Sequence, residues 1–240
     1  GIVMEYGVRP FVRVDPERPT CEAVVSLSED KVPSFSLPSG VAYDALSLSS
    51  EARGAAAEAS FVYVGSLAQR AAESREAVRG ALRASAGRVV FDVNRREGVD
   101  DWAGIVRETL PFTEVLKANE EEFAAIAEEL GVPVERASSY LFERFPLELV
   151  CVTRGGGGVR AFTPSAAFSV PVGDRGRVVD TTGCGDAFCA GLVSGLHKGL
   201  PVRDAVSRGV VVAGVVAGFE GAIPPEDEFV EALRQRSILI

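Results

Sequence analysis

Apolar and polar positions follow two different rhythms along this chain. From Val8 to about Leu37 the spacing is close to two. Val12 and Val14 alternate with charged residues, Ala23-Val24-Val25-Ser26-Leu27 follows, and Glu29-Asp30-Lys31 breaks the pattern before Phe35-Ser36-Leu37. That rhythm predicts short strands joined by polar turns, with no helical period between them. After about Tyr43 the texture changes. Phe61–Val64, Arg88–Asp92, Val115–Lys117 and Leu149–Thr153 are short apolar runs of the kind that form buried strands. Helical spacing appears over Ser74–Ala86, over Trp102–Leu110 and over Glu120–Leu130, where Phe123, Ile126, Ala127 and Leu130 share one face. Strands are predicted again near Val159–Phe162 and Ala167–Val172. A long helix then follows Asp180–Asp186, and an Ala/Val/Gly-rich helix spans Val206–Phe219.

Strands that alternate with helices call for a parallel sheet covered on both faces, with functional residues just past the carboxyl ends of the strands. The 240 residues fit one large α/β body over about 41–240, with a small β excursion over 1–40. No internal repeat, low-complexity segment or long linker divides that body.

Composition narrows the partners. Apolar residues make up 47% of the chain, enough for a sizeable core, and the net charge of −9 argues against coating nucleic acid or anionic membrane. Cys21, Cys151, Cys184 and Cys189 contain no CxxC pair, which fits reduced thiols in a cytoplasmic protein. The one histidine, His197, removes His-rich metal sites and suits an exposed last helical turn. The longest apolar stretch, Gly209–Phe219, is too short to span a bilayer and predicts a buried helix. The first residues show no basic signal-peptide start, and the chain opens at Gly1 with Met4 its only methionine. The expectation is a chain lacking an upstream part.

Four strand ends carry candidate chemistry. Asp180-Thr181-Thr182-Gly183-Cys184-Gly185-Asp186 runs straight into an apolar helix, where amides freed by the glycines suit a phosphate or a developing oxyanion. Asp186 there is equally a plain N-terminal cap, and Cys184 is a thiol beside that cationic spot. Thr153-Arg154 leads into four glycines, either a mere turn or a loop whose backbone approaches phosphates; it matches neither G-x-G-x-x-G nor Walker A. Asn119 followed by Glu122 is a capping box or, alternatively, a pair that holds hydrated Mg²⁺. Asn94 and Arg96, after the Arg88–Asp92 strand, suit an anionic group or surface ion pairs. Trp102 and Cys189 read as packing residues.

In this order, each at a strand's end, these segments resemble the PfkB (ribokinase-like) family of sugar and nucleoside kinases. Asp180–Asp186 looks like that family's D-T-x-G-A-G-D signature, Asn119–Glu122 its N-x-x-E motif, and Thr153, Gly155 and Gly158 its T-x-G-x-x-G loop. Gly65–Arg70, Asp92–Arg96 and Ser39–Asp44 look most like bacterial fructokinase-type members. The resemblance implies a three-layer αβα body with a mostly parallel sheet and a small β lid. It also implies ATP-dependent phosphorylation of fructose or a related sugar, with a nucleoside kinase as the neighbouring alternative.

On the same resemblance Asp186 is the general base, and the amides of Gly183, Cys184 and Gly185 stabilise the transferring phosphoryl group. Thr153, Gly155 and Gly158 line the ATP site, Asn119 and Glu122 organise Mg²⁺, Asp180 and Thr182 hold a monovalent cation such as K⁺, and Asn94 with Arg96 meets the sugar or the phosphate. Exposed lid strands suit a homodimer. Two departures stand out. Cys184 replaces an alanine, and the family's opening strand, with its substrate-binding Asp and Gly-Gly…Asn loop, has no counterpart in the sequence. A non-catalytic binding or assembly protein is the rival expectation.

Overall fold

The computed structural model describes the chain apart from residues 1–3, 5, 28–32, 97, 174–176, 237 and 239–240, and it divides into two compact units, 1–114 and 115–240.

In the first unit, β1 (Val24–Leu27) and β2 (Pro33–Ser36) form an antiparallel hairpin with Val24 opposite Ser36. The strand character expected from Val8 onwards stops there: residues 8–23 form no strand, and Val12 and Val14 are 81% and 84% exposed. An alternating pattern becomes a strand only when a ladder of backbone hydrogen bonds forms; in this stretch the Ala42 amide donates to the Pro19 carbonyl at 2.9 Å without a ladder following. The expected turn at Glu29–Lys31 lies outside the described residues.

The rest of this unit follows the helix–strand rhythm. Helix α1 (Ser50–Glu58) is capped by Ser49, whose Oγ accepts from the Ala52 amide at 3.1 Å. Strands β3 (Phe61–Gly65) and β4 (Arg88–Asp92) are parallel, with Gly65 opposite Asp92. Between them runs α2 (Ala72–Ala84), and α3 (Trp102–Thr109) follows β4. Val89, Val90, Phe91, Ile105, Val106 and Leu110 are buried in the core.

A charged clamp holds the residues before α1. Arg70 Nε donates to Asp44 Oδ1 at 2.7 Å and its Nη2 to Asp44 Oδ2 at 2.8 Å, while the guanidinium lies over the Tyr43 ring. The same side chain donates to the carbonyls of Leu37 and Pro38. The Arg70 bond is the main cause that lowers the Asp44 pKa, against the opposing effect of burial.

The second unit contains β5 (Val115–Asn119) and β6 (Leu149–Thr153) in parallel, then β7 (Val159–Thr163) and β8 (Ala166–Val170) in antiparallel continuation. Its helices are α4 (Glu120–Glu129), α5 (Val134–Arg144), α6 (Cys184–His197), α7 (Val202–Val216) and α8 (Glu226–Gln235). Helix α7 starts four residues earlier than its apolar run, because Pro201 at the N-cap fixes the entry. Glycines bring α6 and α7 together: a Cβ at Gly191 would lie 2.8 Å from Gly209 Cα, and one at Gly195 2.8 Å from Ala205 Cα. His197 is exposed in the last turn of α6, and Cys189 is buried, both as expected. Among the described residues no helix is long and apolar enough to cross a membrane.

Candidate functional site

The parallel register of β5 and β6 sets Asn119 opposite Thr153, so two of the candidate motifs leave adjacent strands side by side. Thr153 Oγ1 ties the ends together by donating to the Ala118 carbonyl at 3.3 Å. The strands are buried along most of their length, and burial pushes the Cys151 thiol up to about 12.

Beyond β5, the structure contains the capping box. Asn119 Oδ1 accepts from the Glu122 amide at 2.8 Å, and Glu122 Oε2 accepts from the Asn119 amide at 2.7 Å. Glu122 is nevertheless 6% exposed, deeper than capping alone demands.

Beyond β6, Gly155–Gly157 close a tight turn in which the Gly157 amide donates to Arg154 O and the Gly158 amide to Gly155 O. Gly158 is required twice over: its φ is +83°, and a Cβ there would collide with the Val170 carbonyl.

The third segment folds onto the end of α7. The Val179 amide donates to Ala217 O at 2.8 Å, and Asp180 Oδ2 accepts from the Gly221 amide at 2.9 Å. Asp180 Oδ1 accepts from the amide and the hydroxyl of Thr182, at 2.9 and 2.8 Å. The backbone bond from Thr182, the Thr182 hydroxyl and the Gly221 amide lower the Asp180 pKa, so this carboxyl stays ionised at neutral pH. Gly183 is the N-cap of α6 with φ +77°, and a Cβ on it would lie 2.7 Å from Ala222 Cβ. Asp186 is therefore not the cap; it sits exposed in the first turn, where the helix dipole favours a carboxylate.

The three amides implicated by the signature behave differently. That of Cys184 donates to Thr181 O at 3.2 Å, in an ordinary turn. Among the described residues, those of Gly183 and Gly185 have no backbone acceptor, which leaves them available to an anion. The Cys184 thiol departs from the reactive group expected beside a cationic spot. Burial, with Asp180 as a second cause, raises its pKa and keeps it protonated.

The glycine loop after β6 and the start of α6 meet at a cavity of about 230 Å³ within the second unit, whose lining does not include Asn119, Glu122, Asp180, Thr182 or Asp186. Thr153, Gly155, Gly158, Cys184 and Gly185 line it, and Val178, Phe188, Val210, Ala213 and Ala217 give it apolar walls. The walls went unrecognised because the Val206–Phe219 stretch reads as simple core. The signal was present: Val210, Ala213, Gly214 and Ala217 recur at helical spacing, so α7 presents a stripe of small side chains.

Asn94 and Arg96 belong to the first unit. Asn94 has φ +37°, the one non-glycine residue with positive φ among the described residues, and its carbonyl accepts from Ser66 Oγ at 3.4 Å. Such a backbone is strained and clusters at functional positions. Arg95 lies over buried Trp102, with its CZ 4.8 Å from the ring centroid, while Arg96 is exposed. Trp102 is thus a packing residue, as expected.

Residues 4–228 match the model of the pfkB family carbohydrate kinases. A fructokinase of Klebsiella pneumoniae is 32% identical over 202 residues, covering 80% of this chain and 64% of that protein. Among solved structures, a fructokinase with bound ATP from Xylella fastidiosa superposes with a TM-score of 0.83 at 23% identity, over 98% of this chain and 80% of its own. A ribokinase from Thermotoga maritima gives a TM-score of 0.76 at 22% identity, over 96% of this chain and 74% of its own. The likeness in structure shows a ribokinase-like α/β fold. The chain spans 66% or less of the length of the curated relatives it matches. With a match that runs through nearly its whole length, this chain belongs to the pfkB family of carbohydrate kinases.

Proposed function

We propose that the protein is an ATP-dependent carbohydrate kinase that moves the γ-phosphoryl group of ATP to a sugar hydroxyl, with fructose or a close relative as the acceptor. One observation carries this: the start of α6, with two unoccupied amides and a carboxylate one residue on, opens at an apolar cavity that the glycine loop after β6 also lines. The cavity suits a nucleobase and ribose, and the glycine edge suits phosphates. Fructokinases among the relatives favour fructose.

In this reading Asp186 takes the proton from the attacking hydroxyl, and the amides of Gly183 and Gly185 meet the charge that develops on the phosphoryl oxygens. Cys184 serves through its backbone shape rather than its thiol. Glu122, with Asn119, would hold hydrated Mg²⁺ through its waters, which suits a donor set of one carboxylate and one amide. The magnesium ion would neutralise phosphate charge when bound. Asp180, held ionised by its three bonds, and Thr182 would face a monovalent cation such as K⁺. Asn94 and Arg96 would contact the sugar or the phosphate, and the β1–β2 hairpin would act as the lid and the contact of a homodimer.

A coupled assay of ADP release over a panel of sugars and nucleosides tests the assignment. Sugar-dependent release, strongest with fructose, is the expected result. Release that no acceptor stimulates would instead favour a non-catalytic relative.

A further inference from the structure

Helix α7 contains two glycines, and they differ in kind. Gly209 is needed for packing: a Cβ on it would lie 2.7 Å from the Phe188 carbonyl oxygen, so α6 leaves no room for a side chain. Gly214 has no such reason. Among the described residues a Cβ built there meets no atom within 4 Å, and its φ is not positive, so the fold would accept an alanine. An alanine would also serve the helix better, because glycine loses more backbone freedom on folding than any other residue.

What sets position 214 apart is the space it faces. Gly214 lines the cavity, midway along the stripe of Val210, Ala213 and Ala217, so the volume its missing side chain leaves open belongs to the cavity. The surroundings are largely carbon, with Val159, Val178 and Phe188 completing the walls. Two polar groups of the lining residues are already bonded: the Thr153 hydroxyl donates to the Ala118 carbonyl, and the Ala217 carbonyl accepts from the amides of Val179 and Asp180. Walls of this kind hold a flat aromatic group by its faces and read little of its edge. A site that hydrogen-bonds its ligand rejects an analogue by several orders of magnitude, whereas an apolar pocket separates groups of similar shape far less.

We propose that Gly214 is a specificity-determining residue of the nucleotide site. The space beside it admits the second ring of a purine, and the carbon walls select the base by shape, so guanine is accepted where adenine is. The proposal rests on the kinase reading and adds to it the class of phosphoryl donor: purine nucleoside triphosphates, of which ATP is one.

The test is calorimetric binding of ATP, GTP and CTP to the 240-residue chain and to its Gly214→Ala and Gly214→Val variants, with urea unfolding of each. The unaltered chain should bind ATP and GTP within about tenfold of each other, and CTP more weakly. Gly214→Val should weaken both purine nucleotides by about tenfold or more, as overfilling a packed site does, and CTP by no more than about twofold. Gly214→Ala should raise the urea midpoint while weakening ATP by about threefold, and it carries the comparison alone should the valine variant not fold. A glycine kept for the fold would show the reverse, a lower midpoint with unchanged affinity, and that result would overturn the proposal. If the unaltered chain binds no nucleoside triphosphate, the kinase reading itself fails. If it binds ATP more than about a hundredfold tighter than GTP, or if Gly214→Val weakens CTP as much as ATP, the proposal alone is overturned.

Discussion

The two units achieve order by opposite means. In the first, a segment is fastened by what side chains add: Arg70 grips Asp44 with two nitrogens, reaches two carbonyls and covers Tyr43. In the second, the site takes its shape from what side chains leave out. Gly158 and Gly183 hold backbone angles that other residues resist, and each has a neighbour where its Cβ would go. A fastening made of directional bonds fails when an atom is removed; a site made of close approaches fails when one is added.

The largest effect expected concerns chemistry alone. Asp186→Asn, nearly isosteric and exposed, should lower kcat by about a hundredfold to ten-thousandfold while ATP binding stays close to normal. Near-normal turnover would remove Asp186 as the base. In the first unit, Arg70→Ala leaves a mostly buried Asp44 without its partner and should destabilise the protein by about 3–5 kcal/mol in urea unfolding. A loss below 1 kcal/mol would show the clamp to be incidental.

The smallest effects carry the sharpest contrast. Gly183→Ala adds a single methyl to a φ of +77° against Ala222, so a loss of about 1–3 kcal/mol is expected, together with impaired phosphoryl transfer. Gly54→Ala adds the same methyl within α1, where nothing lies within 4 Å, and should stabilise by about 0.5–1 kcal/mol. Equal signs for the two substitutions would contradict the distinction between the units.

Much of this was legible before any coordinates. The strands β3, β4 and β6 announce themselves because each is a short, largely apolar run rich in valine, and the site motifs because glycine, asparagine and aspartate gather at strand ends. Three helices escaped. Helix α1 buries none of its residues, so no apolar stripe betrays it. In α5 only Ala137 and Leu141 are buried, and α8 buries Leu233 alone. The opposite error occurred at Val12 and Val14, where alternation led to no strand and the side chains are exposed. The capping box at Asn119 was readable, because its partners are three residues apart. The open space beside Gly214 was not, because it exists only once other segments fold around α7.

The glycines between α6 and α7 have an implication for how a nucleotide arrives. Two backbones in near contact leave little slack for the helices to swing apart, so on the proposed reading the wall that would face a base is a fixed template. On that reading a nucleotide would enter past the loops around the wall, and a change of preference among bases would come from the side chains that line the cavity, Val210 and Ala213 of α7 among them.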